Sequence, residues 1–151
     1  MKLTVKQFNR FILYKLPSAY FCGVRLLDLK HDSAVAKVRF RWINQNPFKS
    51  IYFAVLAMAA ELSTGTLVLK QTQESKLKFS TLVVGMNAQF LKKAVGEIRF
   101  TCADGAEIQQ HIYTAMETRE GVAFTLKSTG VDESGDEVAR FEFSWSIKIK
   151  A

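Results

Sequence analysis

Near the C-terminus Phe141, Phe143, Trp145, Ile147 and Ile149 alternate with Glu142, Ser144, Ser146, Lys148 and Lys150, and Val122, Phe124 and Leu126 begin the same pattern upstream. Successive side chains on a strand point to opposite faces, so each segment predicts a strand with one buried face and one wet face. The stretch VDESGDE between them supplies the turn of an antiparallel hairpin. A second pair is predicted over residues 24–30 and 34–43, around a tight turn at His31, Asp32 and Ser33. In the later of these strands Ala34, Ala36, Val38, Phe40 and Trp42 face one way, and Lys37, Arg39 and Arg41 the other. Residues 78–91 and 97–102, separated by 92–96, read as two more strands.

Helical spacing appears at three places. Over residues 4–16, Val5, Phe8 and Ile12 recur with Phe11 beside them, Thr4 followed by Gln7 resembles a capping box, and Pro17 is expected to stop the run. In DGAEIQQHIYTAMETREG, Ile108, Ile112, Ala115 and Met116 share one face, with Asp104 as N-cap and Glu107 as its partner, predicting a short surface helix. The third place has no face at all. Residues 51–60 are apolar all round a helical wheel, which predicts burial all round, and the alanines at 54, 57, 59 and 60 favour helix over strand. Extended toward Leu69 this helix would be about 30 Å long. Six strands with one apolar face each, curled around one central helix, satisfy the pattern most economically.

The overall numbers fit that picture. A chain of 151 residues, 48% hydrophobic and 23% charged, predicts a single domain over 1–151 with a packed core. Cys22 and Cys102 stand far apart without metal spacing, which suggests free thiols in a reducing cytoplasm, and the N-terminus lacks the continuous apolar centre of an export signal. The uncharged run 51–60 is about half the length of a bilayer span, so no membrane partner is expected. A net charge of +7 attracts polyanions, yet the cations are scattered without interleaved aromatic residues, and no nucleic-acid partner is expected. His31 and His111 have no second ligand at metal spacing, and no nucleophile elbow or glycine-rich phosphate loop is present. No metal and no cofactor are expected.

Glu61 is the chemical candidate, a lone acid late in the apolar helix. Desolvation raises a carboxyl pKa, and a general base gains from a value near the working pH. The competing reading is a structural anion satisfied by Ser63, Thr64 or a cation across a subunit interface. Both stay open, as do two readings for other positions: Tyr52 as hydrogen-bond donor or packing residue, Asn46 as water-positioning group or turn former, and Lys92 with Lys93 as phosphate contacts or solvated loop.

The helix entry resembles the acyl-CoA thioesterases of hotdog fold, in particular the phenylacetic-acid-degradation type. In that family an asparagine precedes a His-Gly-Gly turn, and a catalytic acid follows two helical turns later. Aligned without a gap, Asn46 matches the asparagine, Tyr52-Phe53-Ala54 occupies the His-Gly-Gly positions, and Glu61 falls on the acid. AQFLKKAVGEIRF, residues 88–100, is similar to the family's strand, basic loop and glycine, so the likeness spans roughly residues 16–150. Asn46-Pro47-Phe48 and Glu61-Leu62-Ser63-Thr64-Gly65 resemble an uncharacterised thioesterase-like branch still more closely.

The resemblance implies an α+β hotdog fold and a homodimer or dimer of dimers. It also implies hydrolysis of an acyl-CoA or acyl-carrier thioester at a site shared between subunits. Glu61, Tyr52 and Asn46 would be the catalytic residues, and Phe53, Ala54, Ser63, Thr64, Lys92 and Lys93 would contact substrate. Where relatives have paired glycines beside the acyl group, Phe53 and Ala54 carry side chains. The alternative is therefore a non-catalytic acyl-ligand-binding or structural hotdog protein.

Overall fold

The computed structural model describes residues 4–150. The N-terminal helix α1, Val5–Lys15, starts as its sequence predicts: Thr4 Oγ1 accepts the Gln7 N–H at 3.2 Å and Gln7 Oε1 accepts the Thr4 N–H at 2.9 Å. Pro17 does not simply end the run. It opens a second short helix, α2 (Pro17–Phe21), at a position where its missing N–H costs nothing.

Six strands follow in one antiparallel sheet: β1 (Arg25–Leu29), β2 (Ala34–Arg39), β3 (Phe79–Phe90), β4 (Glu97–Cys102), β5 (Val122–Val131) and β6 (Glu137–Ile149). Their order across the sheet is β1-β2-β4-β5-β6-β3. The predicted inward rows are buried, among them Ala34, Ala36, Val38, Leu126, Phe141 and Ile147. Strand β2 is shorter than its alternation suggested. It ends at Arg39, and Trp42–Asn44 forms a single 3-10 turn that leaves Trp42 83% exposed, outside the buried row where its parity had put it.

The central helix α3, Phe53–Glu74, begins two residues later than the apolar run and continues past Leu69. Ile51 is instead bridged to Gln45 in the loop before it. Its length and apolar composition would also suit a membrane span; the sheet that wraps it accounts for the same composition. Burial is not complete. Ala59, Ala60, Ser63, Thr64, Leu67 and Val68 are enclosed, whereas Phe53 is exposed and Met58, Glu61 and Leu69 are half-buried, because one sheet covers only part of the cylinder. Helix α4, Gly105–Thr118, closes one end of the core with Ile108, Ile112 and Ala115. Asp104 stands at its N-cap position without capping it; the carboxylate accepts the Lys127 N–H at 2.7 Å and ties α4 to β5 instead.

The two sheet edges are treated differently. At β1 the Asn9 side chain donates to Leu26 O at 2.9 Å and accepts the Leu26 N–H at 2.8 Å, so α1 supplies part of the missing strand partner. The opposite edge strand, β3, leaves Leu82, Val84 and Met86 more than half exposed and Phe90 nearly so. An open edge with apolar side chains is a template for another strand.

Candidate functional site

Glu61 lies beneath α1, in a cleft of about 320 Å³ that also receives Phe8, Lys15, Gly65, Thr81 and Trp145. The helical repeat brings residue 65 beneath residue 61, and the carboxylate lies over that glycine. A Cβ at Gly65 would stand 2.8 Å from Glu61 Oε1 and 3.2 Å from the Trp145 ring. Trp145 is in turn fixed by its indole N–H, which donates to Thr64 Oγ1 at 3.1 Å, while that hydroxyl donates to Glu61 O at 2.9 Å. No donor from the described residues reaches the Glu61 carboxylate, and Lys15 lines the same cleft without pairing with it. Burial pushes the carboxyl up from its ordinary 4.5 to about 7.

The two hydroxyls offered as its partners serve the core. Ser63 donates to Ala60 O at 2.7 Å and shares a hydrogen bond with Ser128 at 2.7 Å, while Thr64 meets Trp145; both are fully buried, and neither lines a cleft. Cys102 is equally unsuited to chemistry, since burial pushes its thiol up to about 12. Among the described residues no cluster of His, Cys, Asp and Glu could hold a metal ion.

The helix entry forms a second, larger cleft of about 600 Å³, lined by the turn from Asn46, by Tyr52, Phe53 and Leu56, and by Phe90, Lys92 and Lys93. Asn46 organises the turn. Its Oδ1 accepts the Phe48 N–H at 2.9 Å and the Ser50 N–H at 3.3 Å, and its Nδ2 donates to Ser50 Oγ at 3.0 Å. Asn44, which carried no sequence signal as a structural pin, is buried. It donates to Cys22 O and Arg39 O at 2.9 Å each and accepts the Arg41 N–H, and its carbonyl accepts the Tyr52 N–H at 2.8 Å. Only a hydrogen-bond census could have found it.

These two asparagines fix the backbone from which α3 starts. No side chain of the described residues caps that start; the Val55 and Leu56 N–H groups turn back onto Tyr52 O, and those of Phe53 and Ala54 are left at the positive end of the helix dipole, beside the cleft that Phe53 lines. Ala54 is half-buried behind Tyr52 and Phe53, whose rings meet at 4.9 Å; Phe53 also meets Phe90 at 6.2 Å. Lys92 is not a free phosphate contact: its ammonium donates to Asp132 at 2.6 Å and Asp136 at 2.7 Å. Lys93 stays exposed, its Nζ reaching Phe48 O at 3.4 Å.

The single chain therefore brings Asn46, Tyr52, Phe53, Lys92 and Lys93 together and leaves Glu61 apart from them. Eight residues of helix separate Phe53 from Glu61, about 12 Å along the axis.

The family described as a domain of unknown function, DUF4442, matches residues 4–147. No curated protein matches the chain. Among solved structures, a Pseudomonas aeruginosa protein named a probable thioesterase superposes with a TM-score of 0.84 at 24% identity, covering 99% of each chain. A Chlorobaculum tepidum protein of unknown function gives 0.83 at 18% identity over 98% of each. A Haemophilus influenzae thioesterase gives 0.73 at 12% identity, over 99% of this chain and 93% of that one. At these identities the likeness is one of fold, and the fold is the hotdog.

Proposed function

The chain belongs to the DUF4442 family, and from that premise we propose that it hydrolyses an acyl-CoA or acyl-carrier thioester at a site shared by two subunits. The observation that carries this reading is the Glu61 carboxyl: half-buried, without a donor from the described residues, and held near pKa 7 beside an open cleft. A structural anion would have a cation or several N–H groups on it.

Strand β3 borders both clefts, with Thr81 at the Glu61 cleft and Phe90 at the helix-entry cleft. If two β3 edges pair antiparallel about an axis between Gly85 and Met86, Thr81 of one subunit comes opposite Phe90 of the other. Each Glu61 cleft then abuts the helix entry of the second subunit, which supports a homodimer with two composite sites.

In such a site Glu61 takes a proton from water as the water oxygen attacks the thioester carbonyl. The uncapped N–H groups at the start of the second subunit's α3 stabilise the oxyanion, and the Tyr52 hydroxyl adds a donor. Collapse of the tetrahedral intermediate breaks the C–S bond, and Glu61 returns the proton to the departing thiolate. Asn46 serves by fixing the turn that aims those N–H groups. The resemblance to the phenylacetic-acid-degradation type and to its Asn-Pro-Phe branch belongs to this reading, as do one domain and a cytoplasmic setting for the free thiols of Cys22 and Cys102.

The Phe53 ring favours the second reading, an acyl-binding protein without turnover, since it stands half-exposed where a glycine would let the acyl group reach the backbone. Turnover of a panel of acyl-CoAs by wild type and Glu61→Gln separates the two. Hydrolysis lost in the variant supports catalysis; binding without hydrolysis by wild type supports the acyl-binding protein.

A further inference from the structure

The outer face of the sheet, away from α3, carries a line of like charges. The register sets Arg25 of β1 opposite Lys37 of β2, and Lys37 opposite Arg99 of β4, three cations in one row across three strands. Like charges directly opposite one another repel, and Glu97, opposite Arg39 in the register, offsets only part of the cationic excess on this face. Two residues along β2, Arg39 joins them, and Arg41 follows. Arg25, Lys37, Arg39 and Arg41 surround a recess of about 210 Å³ beside Gly23 and Glu97.

The recess is built in advance. Arg25 lies with its guanidinium carbon 3.6 Å from the centre of the Tyr20 ring and donates to Tyr20 O at 2.7 Å and Val24 O at 2.8 Å. The buried Glu97 carboxylate braces three of the cations, with Arg99 at 2.9 Å, Lys37 at 3.4 Å and Arg39 at 3.6 Å, and Arg39 is also paired with Glu133 at 3.3 Å. Gly23, at φ +87°, leaves open the space in front of Arg41, whose Nη1 lies 4.0 Å from where a Cβ would stand. Among the described residues neither Arg25 nor Arg41 pairs with a carboxylate, so most of their donors remain available. Guanidinium forks around a concave site, that of Arg25 fixed by its Tyr20 stack, match tetrahedral, multiply charged phosphate better than the flat acidic face of a protein.

We propose that this recess binds the phosphates of the substrate's carrier, the adenosine bisphosphate end of coenzyme A. The inference rests on the thioesterase reading for its biological source and selects coenzyme A over a carrier protein. Two chain segments join the recess to the helix-entry cleft. Residues 94–97 run from Ala94, which lines that cleft, to Glu97, and residues 41–46 run from Arg41 to Asn46. Three residues of chain reach at most about 10 Å, a span that a pantetheine arm crosses. The cations thus take the place that the sequence suggested for Lys92, whose charge is already spent on two aspartates.

Calorimetric titration of the full chain with adenosine bisphosphate tests this without requiring turnover. Wild type is expected to bind at low salt and more weakly as salt rises, while plain adenosine does not bind. Arg25→Gln and Arg41→Gln, tested separately because neither side chain is held by a carboxylate among the described residues and with melting curves confirming that each variant folds, are each expected to weaken binding roughly tenfold. Lys6→Gln, an equal change of charge on α1, keeps wild-type binding. No binding at low salt, or binding untouched by both arginine variants, overturns the proposal. Inorganic pyrophosphate binding as tightly as adenosine bisphosphate overturns the carrier assignment. Binding that behaves as expected in a protein that hydrolyses no acyl-CoA leaves the recess standing and removes only the thioesterase reading.

Discussion

Glu61 and Gly65 occupy one face of α3, four residues apart, and the carboxylate oxygen of the first lies 2.8 Å from the point where any side chain of the second would begin. The glycine in Glu-Leu-Ser-Thr-Gly is thus a space requirement, and the acid and glycine form one unit with the Trp145 ring.

Gly65→Ala checks that unit. Overpacking against Trp145 and the carboxylate costs about 1–3 kcal/mol, and the better helix propensity of alanine returns about 1 kcal/mol. Melting should fall slightly. Activity should fall much more, because the carboxylate must swing off the glycine, and parallel melting and turnover assays distinguish this from a purely structural loss.

For Glu61→Gln the expected effects on rate and stability have opposite signs. Removing a general base should cost about a hundredfold or more in turnover. The folded carboxyl, raised to about 7, keeps its proton between pH 4.5 and 7 while the unfolded one loses it. Stability therefore declines across that window as pH rises, and the full penalty, at most about 3 kcal/mol, applies above it. The glutamine variant should melt higher than wild type at pH 8 and close to it at pH 5. A lower melting temperature at pH 8 would mean that a partner stabilises the ionised form.

The same value sets the shape of the pH–rate profile. If Glu61 acts as base, kcat/KM for an active thioester should rise through pH 7 and level off above it. A profile flat from pH 5 to 9 would assign the base elsewhere.

Strand β3 carries the test of the shared site. Leu82 is 64% and Met86 53% exposed, so lysine at both positions leaves the subunit's core intact and blunts the edge. Light scattering should show dimer for wild type and monomer for Leu82→Lys with Met86→Lys, with folded-state circular dichroism retained and hydrolysis lost. A fully active monomer would disprove the composite site.

Asn46→Ala removes the acceptor that gathers the Phe48 and Ser50 N–H groups. The expected cost is about 0.5–1.5 kcal/mol, the net worth of a hydrogen bond whose donors water can partly reach. Turnover should fall because the start of α3 is no longer held in place. An unchanged rate with an unchanged melting temperature would show that the backbone of Asn44 suffices to aim the helix.

By itself the sequence determined what depends on neighbours along the chain. The capping box at Thr4, the alternation in β5 and β6, the apolar run of α3 and the lone acid in it are local patterns, and each fixes an element or a chemical oddity through hydrogen bonds and side-chain parity that span a few residues. Parity misled at Trp42 because β2 loses its ladder after Arg39, whereas Pro17 stopped α1 as expected and only its second role, opening α2, went unread. Tertiary structure decided the rest. That Lys92 is held by Asp132 and Asp136, that Asp104 serves Lys127 rather than its own helix, that Thr64 holds Trp145, and that Arg25, Lys37 and Arg99 stand in one row are consequences of strand register and packing between residues far apart in sequence. The same holds for the separation of Glu61 from Tyr52: a helix rises 1.5 Å per residue, so residues that a motif brings together on paper lie about two turns apart along the one chain.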